Sequence, residues 1–362
     1  MRVHVDSYAT DGPGDVAGLE RILSELPTGD IARLALVAKT EGTATINDFS
    51  RELALSAAER TIERIGGAEL LGASTLIFST GSEGVLSPVV YVLAAIDDDS
   101  GGDEERLVIG GGRTRAMTAG ELVTRTHARL IAGAAEAAMA EAGLAPDRVA
   151  LVLVKSPILS HRDAAATGDP AIVARAGSSG QSRGAAALGV ALALGELSEE
   201  EIGDTRIGVD LDRHSRRTMS FSGTEVEVGE VLVLGNRPGA GGSTRVFSGP
   251  MADILDARSL KHLFRTAGCG LDRAGEVVSP EKLRAVFVKA GVAPDGRVRG
   301  ERTTVFHSDL DPDKHMRATA SGVIGGMIGT GRVFVSGGTE HQAPPGGGLC
   351  ACIADAGGAD GR

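Results

Sequence analysis

An apolar run ending in lysine occurs three times in this chain, as Leu36-Val37-Ala38-Lys39-Thr40, Val152-Leu153-Val154-Lys155-Ser156 and Val286-Phe287-Val288-Lys289-Ala290. Each run reads as a buried strand that carries one ammonium group to its end. Two further features follow each lysine in a fixed order. An arginine with alanine three residues later opens a small-residue helical pattern at Arg51, Arg183 and Arg317. A serine turn ending in glutamate comes next, as Ser79-Thr80-Gly81-Ser82-Glu83, Ser222-Gly223-Thr224-Glu225 and Ser336-Gly337-Gly338-Thr339-Glu340. The interval from lysine to arginine is the same in the second and third copies, 155 to 183 and 289 to 317. A threefold internal repeat is the economical explanation, and it demands one strand and helix order built three times.

The 362 residues divide into units of ordinary domain size, roughly 120 residues each, and 42% hydrophobic content is enough for their cores. The expected units are residues 1–104, 105–243 and 244–362. Acidic, turn-forming residues 97–105 read as the first linker and residues 236–243 as the second. The second linker lacks the Gly-Lys-Ser/Thr ending of a phosphate loop. The class implied is α/β, with three structurally similar repeats around a pseudo-threefold axis.

In the first unit the patterning predicts strands at 3–5, 75–78 and 89–96 beside the Lys39 strand. It also predicts helices over 16–26 and from Arg51 to about residue 65, the latter capped by Asn47-Asp48-Phe49-Ser50. The second unit has expected strands at 106–109 and 230–234 and an alanine-rich helix over 118–142, opened by the capping box Thr118-Ala119-Gly120-Glu121. Residues 161–181 read as a loop able to cover a site, and 184–195 as a helix. The third unit repeats the plan with strands at 244–247, 332–335 and 349–353 and helices over 257–267 and from Arg317. Its tail, 342–348, is irregular because two prolines and three glycines defeat both helix and ladder.

A net charge of −11 argues against a surface that wraps phosphate backbones, and eight Phe, two Tyr and no Trp leave little to stack bases, so nucleic acid is not an expected partner. Cys269, Cys350 and Cys352 suggest neither a disulfide framework nor a thiolate zinc site. No run approaches the roughly 18 apolar residues of a membrane span. Charge lies where a signal peptide would be apolar, so the expected protein is cytoplasmic.

A serine hydroxyl is a poor nucleophile until a base takes its proton. A neutral lysine amine serves when burial and neighbouring cations lower its pKa. Each serine turn here has a lysine in its own repeat and an arginine to supply the neighbouring charge. Glycines beside the serines let the backbone approach a ligand and offer N–H groups to a carbonyl oxygen. Three copies around an axis present three lysines, three arginines and three serine turns to one small planar ring. Taken singly, a strand-end lysine is more often a snorkelling residue, a first-turn arginine the partner of a carboxylate, and a Ser-Gly turn only a turn. Their joint recurrence favours a shared site. His307, His315 and His341 match no metal spacing and read as hydrogen-bonded or surface residues. Gly325-Gly326-Met327-Ile328-Gly329-Thr330-Gly331 stands in the wrong order for a dinucleotide fingerprint and reads as close packing.

With Lys39-Thr40-Glu41-Gly42, Asn47-Asp48-Phe49-Ser50-Arg51, Ser182-Arg183-Gly184 and Ser336-Gly337-Gly338-Thr339-Glu340-His341-Gln342, the chain resembles the cyanuric acid hydrolase and barbiturase family over essentially its full length. The resemblance implies a central β-barrel with helices outside, a homotetramer, and ring-opening hydrolysis of a cyclic amide with no cofactor required for catalysis. By resemblance, Lys39, Lys155 and Lys289 are the dyad lysines, Arg51, Arg183 and Arg317 bind substrate, and Ser79, Ser222 and Ser336 are the serine partners. Thr80, Gly223 and Gly337 border the ring. The second-unit pair is then catalytic, with Lys155 as base and Ser222 as nucleophile. In the first and third units the serine precedes its glutamate by four positions. In the second, Phe221 holds that position, so Ser220 competes with Ser222 as nucleophile. The family also often carries a structural divalent ion, held by carbonyls of the glycine-rich tail and a glutamate shortly after the third lysine. Here Lys289-Ala290-Gly291-Val292 lacks that glutamate, while Thr339, Gln342, Ala343, Pro344 and Gly347 offer the tail oxygens.

The expected activity is that of a cyanuric acid amidohydrolase. The nearest rival is a barbiturase, and the rival of another class is a non-catalytic, threefold-symmetric protein that binds a small planar ring. Loss of turnover without loss of binding on substitution of Lys155 or Ser222 separates enzyme from binder.

Overall fold

The computed structural model describes residues 1–43, 48–98 and 101–356. Asn47 and part of the expected 97–105 linker lie outside the described residues. The first unit contains β1 (Arg2–Ala9), α1 (Ala17–Glu25), β2 (Ile31–Thr40), α2 (Ser50–Gly72), β3 (Ser74–Thr80) and β4 (Val89–Ile96). The second runs β5 (Glu105–Arg113), α3 (Arg125–Ala142), β6 (Val149–Pro157), α4 (His161–Ala166), α5 (Pro170–Val173), α6 (Ser179–Ala193), α7 (Glu199–Asp204), β7 (Thr218–Gly223) and β8 (Glu230–Pro238). The third has β9 (Thr244–Met251), α8 (Ala257–Thr266), β10 (Leu283–Ala290), the small hairpin β11 (Arg297–Val298) and β12 (Glu301–Arg302), α9 (Pro312–Ile328), β13 (Phe334–Gly337) and β14 (Gly348–Asp355).

Each unit folds into a four-stranded sheet with one topology. The orders are β1-β4-β2-β3, β5-β8-β6-β7 and β9-β14-β10-β13. The lysine strand is an inner strand in every case, pairing parallel to the serine strand on one side and antiparallel on the other. Buried on both faces, it reads as a continuous apolar run.

Strand alternation sorts these runs into two cores. Ala35 and Val37, Leu151 and Leu153, and Ala285 and Phe287 enter one cluster shared by all three sheets. The intervening residues Leu34 and Leu36, Val152 and Val154, and Val286 and Val288 pack against their own unit's helices. Continuing the parity places Lys39, Lys155 and Lys289 on the shared face, at the end of the common core. This is the fold's contribution to the site.

The architecture is mixed α/β. The central barrel expected from the resemblance does not appear as closed strand pairing: the ladders stop at three separate sheets among the described residues. Side chains bridge the seams instead. Asn236 donates from Nδ2 to the Val246 carbonyl (2.8 Å) and accepts the Val246 N–H at Oδ1 (2.9 Å), which imitates one rung between the second and third sheets. Ser248 donates to the Ala150 carbonyl (2.6 Å), and Tyr91 donates to the Arg332 carbonyl (3.1 Å).

Other differences from expectation have local causes. Thr118 and Glu121 do bond each other, the Glu121 carboxylate accepting the Thr118 N–H at 2.9 Å, but they close a separate turn. Val123 at φ 60° ends it, and the helix begins at Arg125 with Thr124 as its cap. Residues 161–181 fold in part into α4 and α5 rather than an open loop, each capped by its own residue, Ser160 and Asp169. Strand β8 extends beyond its predicted end into the residues read as a linker, and β9 runs past its predicted end to Met251. Cys269, Cys350 and Cys352 are free and buried, and no described helix is long and apolar enough to cross a membrane.

Candidate active site

Lys39, Lys155 and Lys289 are 1%, 1% and 0% exposed, so none is a snorkelling residue. Lysine is almost never fully buried without a partner, and each of these has one. Lys39 Nζ donates to Ser79 Oγ (3.2 Å) and to the Thr80 carbonyl (2.6 Å), and Lys289 Nζ donates to Ser336 Oγ (3.2 Å). In both units the strand register sets the serine directly opposite its lysine, Lys39 against Ser79 and Lys289 against Ser336.

The second unit departs from this plan. Lys155 stands opposite Phe221, and Ser222 stands opposite Ser156. The Lys155 ammonium donates to the Phe78 carbonyl (2.8 Å) and pairs with Glu225, while Ser222 Oγ donates to the Ser179 carbonyl (3.1 Å). The expected pair of Lys155 and Ser222 is therefore not joined in this structure. Alternation explains why: Met219 and Phe221 enter the shared core, so Ser220 faces the other side, while Ser222, near the strand end, lies on the cavity wall with its hydroxyl given to the Ser179 carbonyl. Ser220 Oγ is buried without a hydrogen-bond partner among the described residues, and the Ser220 N–H donates to Gln342 Oε1 (2.6 Å). Neither second-unit serine meets Lys155.

The three arginines and three glutamates close a ring between units, which sequence reading missed. Arg51 of the first unit pairs with Glu225 of the second (3.5 Å). Arg183 of the second pairs with Glu340 of the third (2.8 Å), and Arg317 of the third with Glu83 of the first (2.5 Å). The glutamate ending each serine turn is the sequence signal, recurring as faithfully as the lysine. Its partner lies in another unit and could not be read locally. Arg51 keeps a hand on the site itself, donating to the Ser222 carbonyl (3.1 Å). The turn glycines make the close approach possible. Gly81 (φ 98°) and Gly338 (φ 77°) are left-handed, and a Cβ there would lie 2.7 Å from Arg317 Nε and 2.1 Å from Arg183 Nη2.

This charge pattern sets the protonation states. Burial pushes the Lys289 ammonium well below its ordinary value and the Arg183 guanidinium adds to that, against Glu340 and Asp313. Burial does the same to Lys39, helped by Arg317 and opposed by Glu83. Burial lowers Lys155 only to about 8, because Glu225 beside it favours the charged form. Burial alone would raise the Glu340 carboxyl, but the charge and hydrogen bonds of Arg183 hold it at about 2.

Arg51, Ser79, Thr80, Arg183, Ser222, Arg317, Ser336 and Gly337 line one cavity of about 90 Å³ together with Lys289 and Phe221. Gly223 is not among its lining residues; it ends β7, where a Cβ would meet the Glu225 carboxylate at 2.0 Å. So small a cavity lies far below the ~300 Å³ at which drug-sized sites begin, and suits a small ring. A larger cavity of about 380 Å³, bordered by Tyr91, Arg284 and Arg332, has no lysine on its walls. We place the chemistry in the smaller one. Behind it, Ser156 Oγ bridges His127 Nε2 (2.9 Å) and Ser182 Oγ (2.9 Å), fixing α6 and hence Arg183 against the Lys155 strand. The Val123 N–H donates to His127 Nδ1, so Nε2 carries the proton, and burial holds the ring's pKa at about 4.

Of the tail residues suggested for a divalent ion, Thr339, Gln342, Pro344 and Gly347 each have an oxygen that accepts a hydrogen bond. The Thr339, Pro344 and Gly347 carbonyls accept from the N–H groups of Gln342, Gly347 and Gly291, and Gln342 Oε1 is taken by Ser220. Glu340, the nearest carboxylate in sequence, is bound to Arg183. Among the described residues no group of three or more His, Cys, Asp or Glu is placed to hold a metal. His341 is a structural residue, accepting the Gly208 N–H at Nε2 (2.8 Å).

Buried lysine and serine pairs meeting at a cavity framed by paired arginines define a threefold-repeat site of the serine and lysine kind. The amidohydrolase ring-opening family model matches residues 4–355. A cyanuric acid amidohydrolase of Methylobacterium sp. (strain 4-46) is 38% identical over 357 residues, spanning 96% of each chain. A cyclic amide hydrolase of Azorhizobium caulinodans is 36% identical over 98% of this chain and 99% of its own. The crystal structure of a cyanuric acid hydrolase from A. caulinodans superposes with a TM-score of 0.88 at 34% identity, covering 99% of both chains. This chain belongs to the ring-opening amidohydrolase family.

Proposed function

We propose that this protein is a cyanuric acid amidohydrolase, opening the ring to carboxybiuret, which then loses carbon dioxide to give biuret. The observation that carries this reading is the cavity of about 90 Å³ where serines opposite buried, pKa-depressed lysines face guanidinium groups from all three units. A neutral lysine takes the serine proton as the oxygen attacks a ring carbonyl, while the arginines draw electron density onto the carbonyl oxygens. The cyanuric acid amidohydrolase of Methylobacterium, 38% identical over 96% of this chain, supports the same substrate.

One observation favours barbituric acid as a second reading. Phe221 lines the cavity where the other units place a serine, so one edge of the site is apolar, and barbituric acid replaces one ring N–H by a methylene. Under either reading the protein is a cytoplasmic homotetramer that needs no metal for catalysis. Phe49 and Leu53, both exposed at the start of α2, are surface that such an assembly would cover. Purified protein offered both rings in parallel is expected to consume cyanuric acid, followed as biuret and carbon dioxide. Consumption of barbituric acid alone would favour the second reading, and consumption of neither would contradict both.

A further inference from the structure

We propose that the nucleophile of this chain is Ser336 of the third unit, with Lys289 as its base, and not a serine of the second unit; this rests on the ring-opening reading above. Three identical dyads would leave the choice open, but the units are not identical. The second has no serine opposite its lysine, because Phe221 fills that position, and Ser222, though on the cavity wall, donates to the Ser179 carbonyl and makes no hydrogen bond to Lys155 among the described residues. Lys155 is also committed to Glu225 and to the Phe78 carbonyl. The first unit keeps its pair, but Lys39 gives its shorter bond, 2.6 Å, to the Thr80 carbonyl and does not reach the cavity wall.

Lys289 differs on each count. Among the described residues its ammonium hydrogen-bonds Ser336 Oγ alone, and it is the one lysine on the cavity wall. Its other near neighbour is the Phe221 ring, 4.6 Å from Nζ to the centroid, which keeps water from that side. The phenylalanine that stands opposite the second lysine thus covers one side of the third. Burial and the Arg183 charge then favour the neutral amine.

The step balances within these groups and one water. Ser336 Oγ bonds to a ring carbonyl carbon as its proton passes to Lys289 Nζ. Collapse of the tetrahedral intermediate breaks the ring C–N bond, and Lys289 returns the proton to the departing nitrogen. Water then attacks the ester carbon and gives a proton to Lys289. The C–Oγ bond breaks, and Ser336 takes that proton back.

An alkyl fluorophosphonate, which labels activated serines irrespective of the natural substrate, tests the assignment by peptide mapping of the full-length protein. Label is expected on Ser336 and is expected to be lost in Lys289→Met. Label on Ser79, Ser220 or Ser222, or on no serine, would overturn it. In turnover, Ser336→Ala is expected to lower kcat by at least about 10³-fold, Ser79→Ala to act mainly on KM, and Ser220→Ala to stay within about twofold. Equal losses in Ser222→Ala and Ser336→Ala would also overturn it. Ser336 labelled in a protein that opens neither ring would sink the proposed function while leaving the nucleophile assigned.

Discussion

Replacing Lys289 with methionine is expected to lower kcat by about 10²–10⁴-fold while the protein stays folded. Methionine keeps most of the apolar volume against Phe221 and removes only an amine whose charge the site already disfavours. The loss should therefore fall on the chemical step and hardly at all on stability. Sign follows from the protonation state. The neutral amine is the active form, so kcat/KM of the wild type should rise with pH through an apparent pKa well below the ordinary lysine value of about 10.4 and then level off. In the methionine variant the residual rate should lack that limb. A profile unchanged by the substitution, or a rate reduced less than tenfold, would show that another group is the base. Steady-state rates across pH check this, with circular dichroism confirming the fold.

Glu340→Gln should have the largest effect on stability, about 2–3 kcal/mol of destabilisation at neutral pH. The change leaves Arg183 part-buried with Asp313 as its remaining anionic partner at 3.3 Å, so the cost stays at the low end for a broken buried pair. The pH dependence has a definite sign. A carboxyl held at about 2 in the folded protein but near its ordinary value of about 4.3 when unfolded contributes stability above that ordinary value. That contribution is lost as pH falls from about 4.5 toward 2, and the glutamine variant should lack this part of the acid slope. The same change removes an anion that favours the charged form of Lys289, so the acid limb of the activity profile should move to lower pH. Urea unfolding at several pH values measures the first effect. A neutral-pH difference under about 0.5 kcal/mol would mean that the inter-unit ring is solvated decoration.

Much of this was legible before any coordinates. The repeat was visible because each copy had to bring the same lysine, arginine and serine turn to one place, and strand length and polarity followed. Parity within each lysine strand was not readable, because Leu34, Leu36 and Ala38 on one face and Ala35 and Val37 on the other are all apolar. Nor could the pairing between strands be read. Ser222 looked like the partner of Lys155 because it begins a Ser-Gly turn like its counterparts; the spacing to Glu225 set Phe221 at the serine position, and the register adds that Phe221 stands directly opposite Lys155. A shift of one residue reverses every side chain. The glutamates were on the page in all three turns but read as turn ends, because each one's arginine sits in a different unit. The helix expected from Thr118 starts at Arg125 for a similar reason: two capping signals stand close together, and the left-handed Val123 between them decides for Thr124.

The most direct measurement is a crystal structure of Ser336→Ala soaked with cyanuric acid, in which binding survives and chemistry stops. The ring is expected in the cavity among Arg51, Arg183 and Arg317. One carbonyl carbon should lie about 3–3.5 Å from the place that Ser336 Oγ occupies in the wild type, close enough for attack. A ring seated elsewhere, or one whose nearest carbonyl carbon faces Ser222, would contradict it.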